Sequence, residues 1–339
     1  MELFPHKDIS ALDSLFKAAR KVAILSHVHP DGDALGSSTA IALYLGSIGK
    51  ESACILPNTV SDTLSYIPSP SVRYFYADKQ PKRAEEWIRE SDLIVLADAN
   101  AFSRTDVLEQ AAKESQVHKV LLDHHLNPDR ENFALVFSTP EISSASEVVF
   151  WVLRELGCRM EGEIGKALMT GMTTDTNNFA NSVFPSTFAM ASELIANGVD
   201  RDAILQQIYN SYRENRVRLI GYMQHKEMHI LPEGASYMVL TKKLLREFGA
   251  EEGETEGLVN IPLAIKEVRL SVLLNEDDGL FRVSVRSKKG TSAQNLALQY
   301  FHGGGHENAA GGKLFIGSDI TTAEDAPAYV ERILKEFLG

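Results

Sequence analysis

The chain has 339 residues, 44% of them hydrophobic, which is enough for two domains that each bury a core. Its net charge of −12 argues against an extended basic surface for long nucleic acid, though a small anionic substrate can still be held by local cations. The two cysteines, Cys54 and Cys158, show neither metal spacing nor a disulfide framework, and no apolar run reaches the ~20 residues a bilayer needs. With no apolar block near the start to act as a signal peptide, the expected setting is the cytoplasm, away from membranes.

In chain order, strands are expected over 22–26, 52–56, 93–97 and 120–122, and helices over 34–48, 81–90 and 105–113. Their alternation predicts a parallel sheet with covering helices. Helical periodicity then dominates, over 144–156, 163–172, 186–196, 201–209 and 213–226, with Asn197-Gly198 as a stop between two helices. Strands return over 231–240, 268–274 and 280–285, the last two joined by the acidic turn Glu276-Asp-Asp-Gly279, and helices follow over 292–300 and 323–337. The organisation predicted is an α/β catalytic domain over 1–195, a helical connector over 196–228 and a smaller mixed α/β domain over 229–339.

Four separate segments deliver Asp or His from the end of an apolar stretch. They are Val22-Ala-Ile-Leu-Ser-His27-Val-His29-Pro30-Asp31-Gly32-Asp33, Leu93-Ile-Val-Leu-Ala-Asp98, Lys119-Val-Leu-Leu-Asp123-His124-His125 and Met172-Thr-Thr-Asp175. The ends of buried parallel strands lie at the open edge of a sheet, where ligands and catalytic metals collect. One aspartate alone there is as readily a helix cap, but four such segments predict a metal site. Carboxylates mixed with imidazoles, and no thiolates, suit Mn²⁺ first, with Mg²⁺, Co²⁺ or Zn²⁺ as alternatives. Asp31 and Asp33 are placed to face different ions and Asp98 to bridge them, giving the two-ion clamp of phosphate-ester hydrolysis.

The stretches His27-x-x-Pro-Asp-Gly-Asp-Ala-Leu-Gly-Ser, Ala97-Asp98, Asp123-His-His and Thr174-Asp175-Thr176 resemble the four motifs of the DHH phosphoesterase superfamily. Gly303-Gly-Gly-His306-Glu-Asn-Ala-Ala-Gly311 resembles the signature of its accessory DHHA1 domain. The resemblance runs nearly end to end and is greatest to the oligoribonuclease/pAp phosphatase branch (NrnA type). It implies a hydrolase that cleaves short single-stranded RNA and adenosine 3′,5′-bisphosphate (pAp) in an interdomain cleft, with duplexes refused and a homodimer allowed. Cyclic or linear dinucleotides (c-di-AMP, pApA) and polyphosphate or pyrophosphate are the alternative substrates, and a non-catalytic nucleotide sensor is the alternative of another class.

By position, the resemblance implies that His27, Asp31 and Asp98 hold one ion and that Asp33, Asp98, His124 and Asp175 hold the other. His125 would face the scissile phosphate, Asp123 would support the paired histidines, and Arg104 would reach the substrate phosphate. His29 sits at a variable motif position and is read as a bystander. In the second domain, Gly304, Gly305 and His306 with Arg286 are expected to bind phosphate, in a glycine loop that leads into a helix from Glu307. One departure stands out. The fourth motif continues Thr176-Asn-Asn-Phe-Ala180, without the glycine and the basic residue of many relatives, so Asn177, Asn178 or Asn181 would take over contact with substrate.

Overall fold

The computed structural model describes residues 3–60, 64–251 and 253–339, apart from the side chain of His306. By internal contacts the chain divides into Met1–Ser211 and Tyr212–Gly339, a division that falls inside the 196–228 stretch.

The first unit runs α1 (His6–Ala18), β1 (Lys21–Leu25), α2 (Gly32–Ser47), β2 (Glu51–Leu56), β3 (Arg73–Tyr76), α3 (Pro81–Glu90), β4 (Leu93–Ala97), α4 (Glu109–Glu114), β5 (His118–Asp123) and β6 (Leu135–Ser138). Four helices follow: α5 (Ala145–Glu155), α6 (Gly162–Asp175), α7 (Pro185–Ala196) and α8 (Arg201–Tyr209). All six strands pair in parallel, in the order β3-β2-β1-β4-β5-β6. The strands read as unbroken apolar runs because both of their faces are buried. Val22, Ile24, Val95 and Leu122 join one core with α1, α2, α5 and α6. Their neighbours Ala23, Leu25, Ile94 and Leu121 join another with α3 and α4.

Sequence periodicity missed the two edge strands, β3 and β6, whose side chains are mostly half-buried. The single helix expected over 105–113 is broken. A 3₁₀ turn spans Phe102–Leu108, Asp106 takes φ 49° and ψ −121°, and α4 starts only at Glu109.

The second unit comprises α9 (Glu214–Tyr222), β7 (His229–Leu231), β8 (Ala235–Leu240), α10 (Lys242–Phe248), β9 (Leu270–Asp277), β10 (Leu280–Ser287), α11 (Ala293–Tyr300), β11 (Gly304–His306), β12 (Ala309–Phe315) and α12 (Ala326–Leu338). Its sheet has the order β11-β12-β10-β9-β8-β7 and is antiparallel except where β8 runs parallel to β9. Leu270, Val272, Val283 and Val285 meet Leu296, Phe301, Val330 and Ile333 in one core, so α11 and α12 cover one face. The run expected as one strand over 231–240 is two, turned at Gly234 with φ 84°. No described helix is long and apolar enough to cross a membrane.

Candidate metal centre

Strand order in the first sheet reverses between β1 and β4, and at such a reversal the chain leaves a crevice beyond the carboxyl ends of the strands. His27 lies two residues past β1, Asp98 directly past β4, and Asp123 closes β5 with His124 and His125 behind it. Asp31 caps α2, its Oδ1 accepting the Asp33 and Ala34 amides at 3.0 Å each. Asp33 sits in the first turn of α2, and Asp175 is the last residue of α6.

Two glycines let these helix ends meet. A Cβ on Gly36 would fall 2.5 Å from Ala167 O, so only glycine permits α2 and α6 to touch backbone to backbone. A Cβ on Gly171 would fall 2.0 Å from Ser146 Oγ and 2.8 Å from Asp33 Oδ1. The amino terminus of α5 then fixes Asp33: the Ala145 and Ser146 amides donate to its two oxygens at 2.6 and 2.8 Å.

His27 Nδ1 lies 2.8 Å from Val28 O and donates to it, which turns the Nε2 lone pair toward the carboxylates. Nε2 stands 3.3 Å from Asp98 Oδ2 and 3.7 Å from Asp31 Oδ2. On the other side, His124 Nε2 stands 3.5 Å from Asp98 Oδ1 and 3.6 Å from Asp175 Oδ2. These gaps exceed the ~2.7–3.2 Å of an N–H···O bond. They suit ligands that each sit ~2.1 Å from a shared ion. Donor atoms converge in the sets His27, Asp31, Asp98 and Asp33, His124, Asp175, and a third set joins Asp98, His124 and His125. Asp98 turns one oxygen to each side, and it does so with φ 57°, a conformation that costs energy in a residue with a side chain.

The electrostatics match a site built for cations. Burial alone would lower the His27 imidazole, but the carboxylates of Asp31 and Asp98 outweigh it and hold the group well above its ordinary value. For His124, burial is likewise overcome by Asp98 and Asp175, and the group is raised to about 10. Burial, with the Asp98 and Asp175 charges added, pushes Asp33 well up. Asp175 is raised to about 7, burial and the charges of Asp98 and Asp31 outweighing the pull of His124. Only Asp98 is lowered, its burial overcome by His124 and His27. The crowded negative charge of Asp33, Asp98 and Asp175 is thus balanced by protons on the raised groups, which a divalent ion must displace.

His125 belongs to the third set, its Nδ1 3.8 Å from Asp98 Oδ1. Its Nδ1 is 2.7 Å from Asp123 Oδ1, and its Nε2 is 2.8 Å from Arg104 Nη1. Arg104 comes from the 3₁₀ turn after β4, and its carbonyl accepts the Val28 amide at 2.8 Å. His29 is exposed, with its backbone N–H on Asn58 Oδ1 at 2.8 Å. Past Asp175, Asn178 Oδ1 accepts from Arg201 Nη2 at 2.5 Å, and the Phe179 ring stacks on Phe188.

In the second unit, Arg286 near the end of β10 donates from Nη1 to Val285 O at 2.9 Å. Burial lowers its pKa, and no carboxylate among the described residues pairs with it. Gly304 and Gly305 belong to β11 and face Gly311 and Ala310 of β12. The helix expected from Glu307 is absent; a hairpin stands in its place. Its glycines serve close approach, since a Cβ on Gly303 would fall 2.0 Å from Gly311 O. The His306 side chain lies outside the described residues. Gly36 stands in the first motif but its packing role was not legible there, and Gly171 and the α5 amides carry no signal in the sequence.

Residues 21–176 match the DHH family, N-terminal domain, and residues 235–336 match the DHHA1 domain. The bifunctional oligoribonuclease and PAP phosphatase NrnA of Thermus thermophilus is 28% identical over 297 residues, covering 86% of this chain and 84% of that protein. Cyclic-di-AMP phosphodiesterase GdpP of Geobacillus thermodenitrificans is also 28% identical, over 97% of this chain but only 49% of its own length. A crystal structure of an exopolyphosphatase-related protein from Bacteroides fragilis is 36% identical, covers 99% of this chain and 98% of its own, and superposes with a TM-score of 0.92.

Proposed function

Since the chain belongs to the DHH/DHHA1 phosphoesterase superfamily, and so is a hydrolase of phosphate ester bonds, we propose that it cleaves short RNA oligonucleotides to mononucleotides and dephosphorylates pAp. The observation that carries this reading is the split of Asp98, one oxygen toward His27 and the other toward His124. In this reading His27, Asp31 and Asp98 hold one Mn²⁺, and Asp33, Asp98, His124 and Asp175 the second, with Mg²⁺ or Co²⁺ as substitutes. Two such ions supply an acidified water and neutralise the phosphoryl oxygens.

The chain's own groups do the rest. Asp31 is oriented by the α2 amides, Asp33 by the α5 amides and His27 by Val28 O, so the donor set is fixed before substrate arrives. Arg104 has N–H groups to offer a phosphoryl oxygen, and Arg286 offers a half-buried cation to a second phosphate. A net charge of −12 disfavours the many phosphates of a long strand. Efficiency should therefore peak at two to about five nucleotides in a cytoplasmic enzyme.

The match to GdpP across 97% of the chain supports a second reading, hydrolysis of c-di-AMP or pApA. A panel assayed with Mn²⁺ tests both, using RNA from dimer to 24-mer, pAp, pApA, c-di-AMP and tripolyphosphate. Greatest kcat/KM on the RNA dimers and trimers is expected. A preference for c-di-AMP over every RNA would transfer the assignment to the second reading. A preference for tripolyphosphate, or undiminished degradation of the 24-mer, would overturn both.

A further inference from the structure

Proton inventory fixes the direction of the chain Asp123–His125–Arg104. Asp123 is fully buried; its Oδ2 accepts the His125 amide at 3.0 Å, and its Oδ1 lies 2.7 Å from His125 Nδ1. Because a carboxylate held this way accepts, Nδ1 carries the imidazole proton. On the far side of the ring, Arg104 Nη1 stands 2.8 Å from Nε2. A guanidinium can only donate, so Nε2 must present its lone pair. In this geometry Nδ1 donates inward to Asp123 and Nε2 accepts from Arg104.

We propose that His125 is a positioning residue that serves the reaction through Arg104. Asp123 anchors the ring, and the ring holds the guanidinium so that its remaining N–H groups meet the scissile phosphate. The main chain reinforces this, since Arg104 O accepts the Val28 amide at 2.8 Å, one residue from His27. The side-chain hydrogen bond of Arg104 goes to His125 and not to a carboxylate, so its charge is kept for an anion. Arginine has many rotamers, and fixing it before substrate binds removes that ordering cost from the transition state. This inference rests on the phosphoesterase reading and departs from the expectation that His125 itself faces the phosphate.

The test uses the full chain with Mn²⁺ and the best substrate of the panel. His125→Ala and Arg104→Ala should each lower kcat/KM about 10- to 100-fold, mainly through kcat, and the double variant should be no worse than either. His125→Gln returns a carbonyl acceptor close to the position of Nε2. It should recover most of the loss, keep the wild-type pH profile, and give no recovery when Arg104 is also Ala. Bound Mn²⁺ should be unchanged in all five variants. Losses that multiply in the double variant, or an ion lost from His125→Ala, would overturn the proposal. So would a His125→Gln variant as impaired as His125→Ala. A wild-type enzyme that cleaves no phosphate ester would instead sink the underlying reading, so the two failures are distinguishable.

Discussion

At the carboxyl edge of the first sheet, Asp31, Asp33, Asp98 and Asp175 crowd around His27 and His124, whereas the second sheet holds a half-buried guanidinium, Arg286, with no carboxylate partner among the described residues. Burial acts on both but with opposite meaning. In the first it pushes Asp33 and Asp175 toward their protonated forms, so the cluster calls for added positive charge. In the second it lowers the pKa of Arg286, so that residue calls for an anion. A substrate that carries phosphates and is cut with the help of cations satisfies each region on its own terms.

The largest effect should come from removing the group shared by both donor sets. Asp98→Ala should strip both ions and lower kcat by about 10⁴-fold, several kcal/mol of transition-state stabilisation. Metal analysis beside turnover checks it; an Asp98→Ala protein that keeps both ions would break the contrast drawn above.

Next comes pH. Because His124 is raised to about 10 and Asp175 to about 7, their folded forms keep protons that binding of an ion must expel. Below about pH 7 the proton of Asp175 must leave as well as that of His124, and above it Asp175 no longer contributes, while the raised Asp33 adds to the demand in the same direction. Affinity for the second ion should therefore rise with pH, up to about tenfold per unit for each proton expelled, and more steeply below pH 7 than above. Mn²⁺ titrations from pH 6 to 9 measure the slope; a flat dependence would contradict the charge balance.

Smaller still is the effect of Gly171→Ala. The added methyl would press on Asp33 Oδ1 and Ser146 Oγ, so the second ion should bind about 10- to 100-fold more weakly while the first is spared. Equal weakening of both would mean that α2 and α6 pack as one unit with the whole centre. An effect of similar size, confined to one class of substrate, belongs to the second region. Arg286→Ala should cost about 1.5–3 kcal/mol in binding substrates with a second phosphate, and little for a one-phosphate ester such as bis-p-nitrophenyl phosphate. Equal losses on the two kinds of substrate would show that Arg286 is structural.

The same two regions differ in how far their chemistry could be read from sequence. A parallel strand buried on both faces announces itself as an apolar run, and its end marks the open sheet edge, so the placement of His27, Asp98 and Asp123 was visible at once. What holds those groups was not. Asp33 is fixed by backbone amides of Ala145 and Ser146, more than a hundred residues away, and amides leave no mark in a sequence. Arg104 meets His125 only because β4 and β5 are neighbours. In the second unit, the glycines of 303–312 suggested an anion loop before a helix, yet they let β11 and β12 approach each other and fold back along α11. Edge strands β3 and β6 gave no clean period because their side chains are mostly half-buried.

Asp98 as a bridge between two ions is tested most directly by electron paramagnetic resonance of Mn²⁺ titrated into wild type and Asp98→Ala. The prediction is two Mn²⁺ per wild-type chain with an exchange-coupled signal, absent from Asp98→Ala under the same conditions. A single isolated Mn²⁺ in the wild type, or a coupled pair that survives Asp98→Ala, would contradict it.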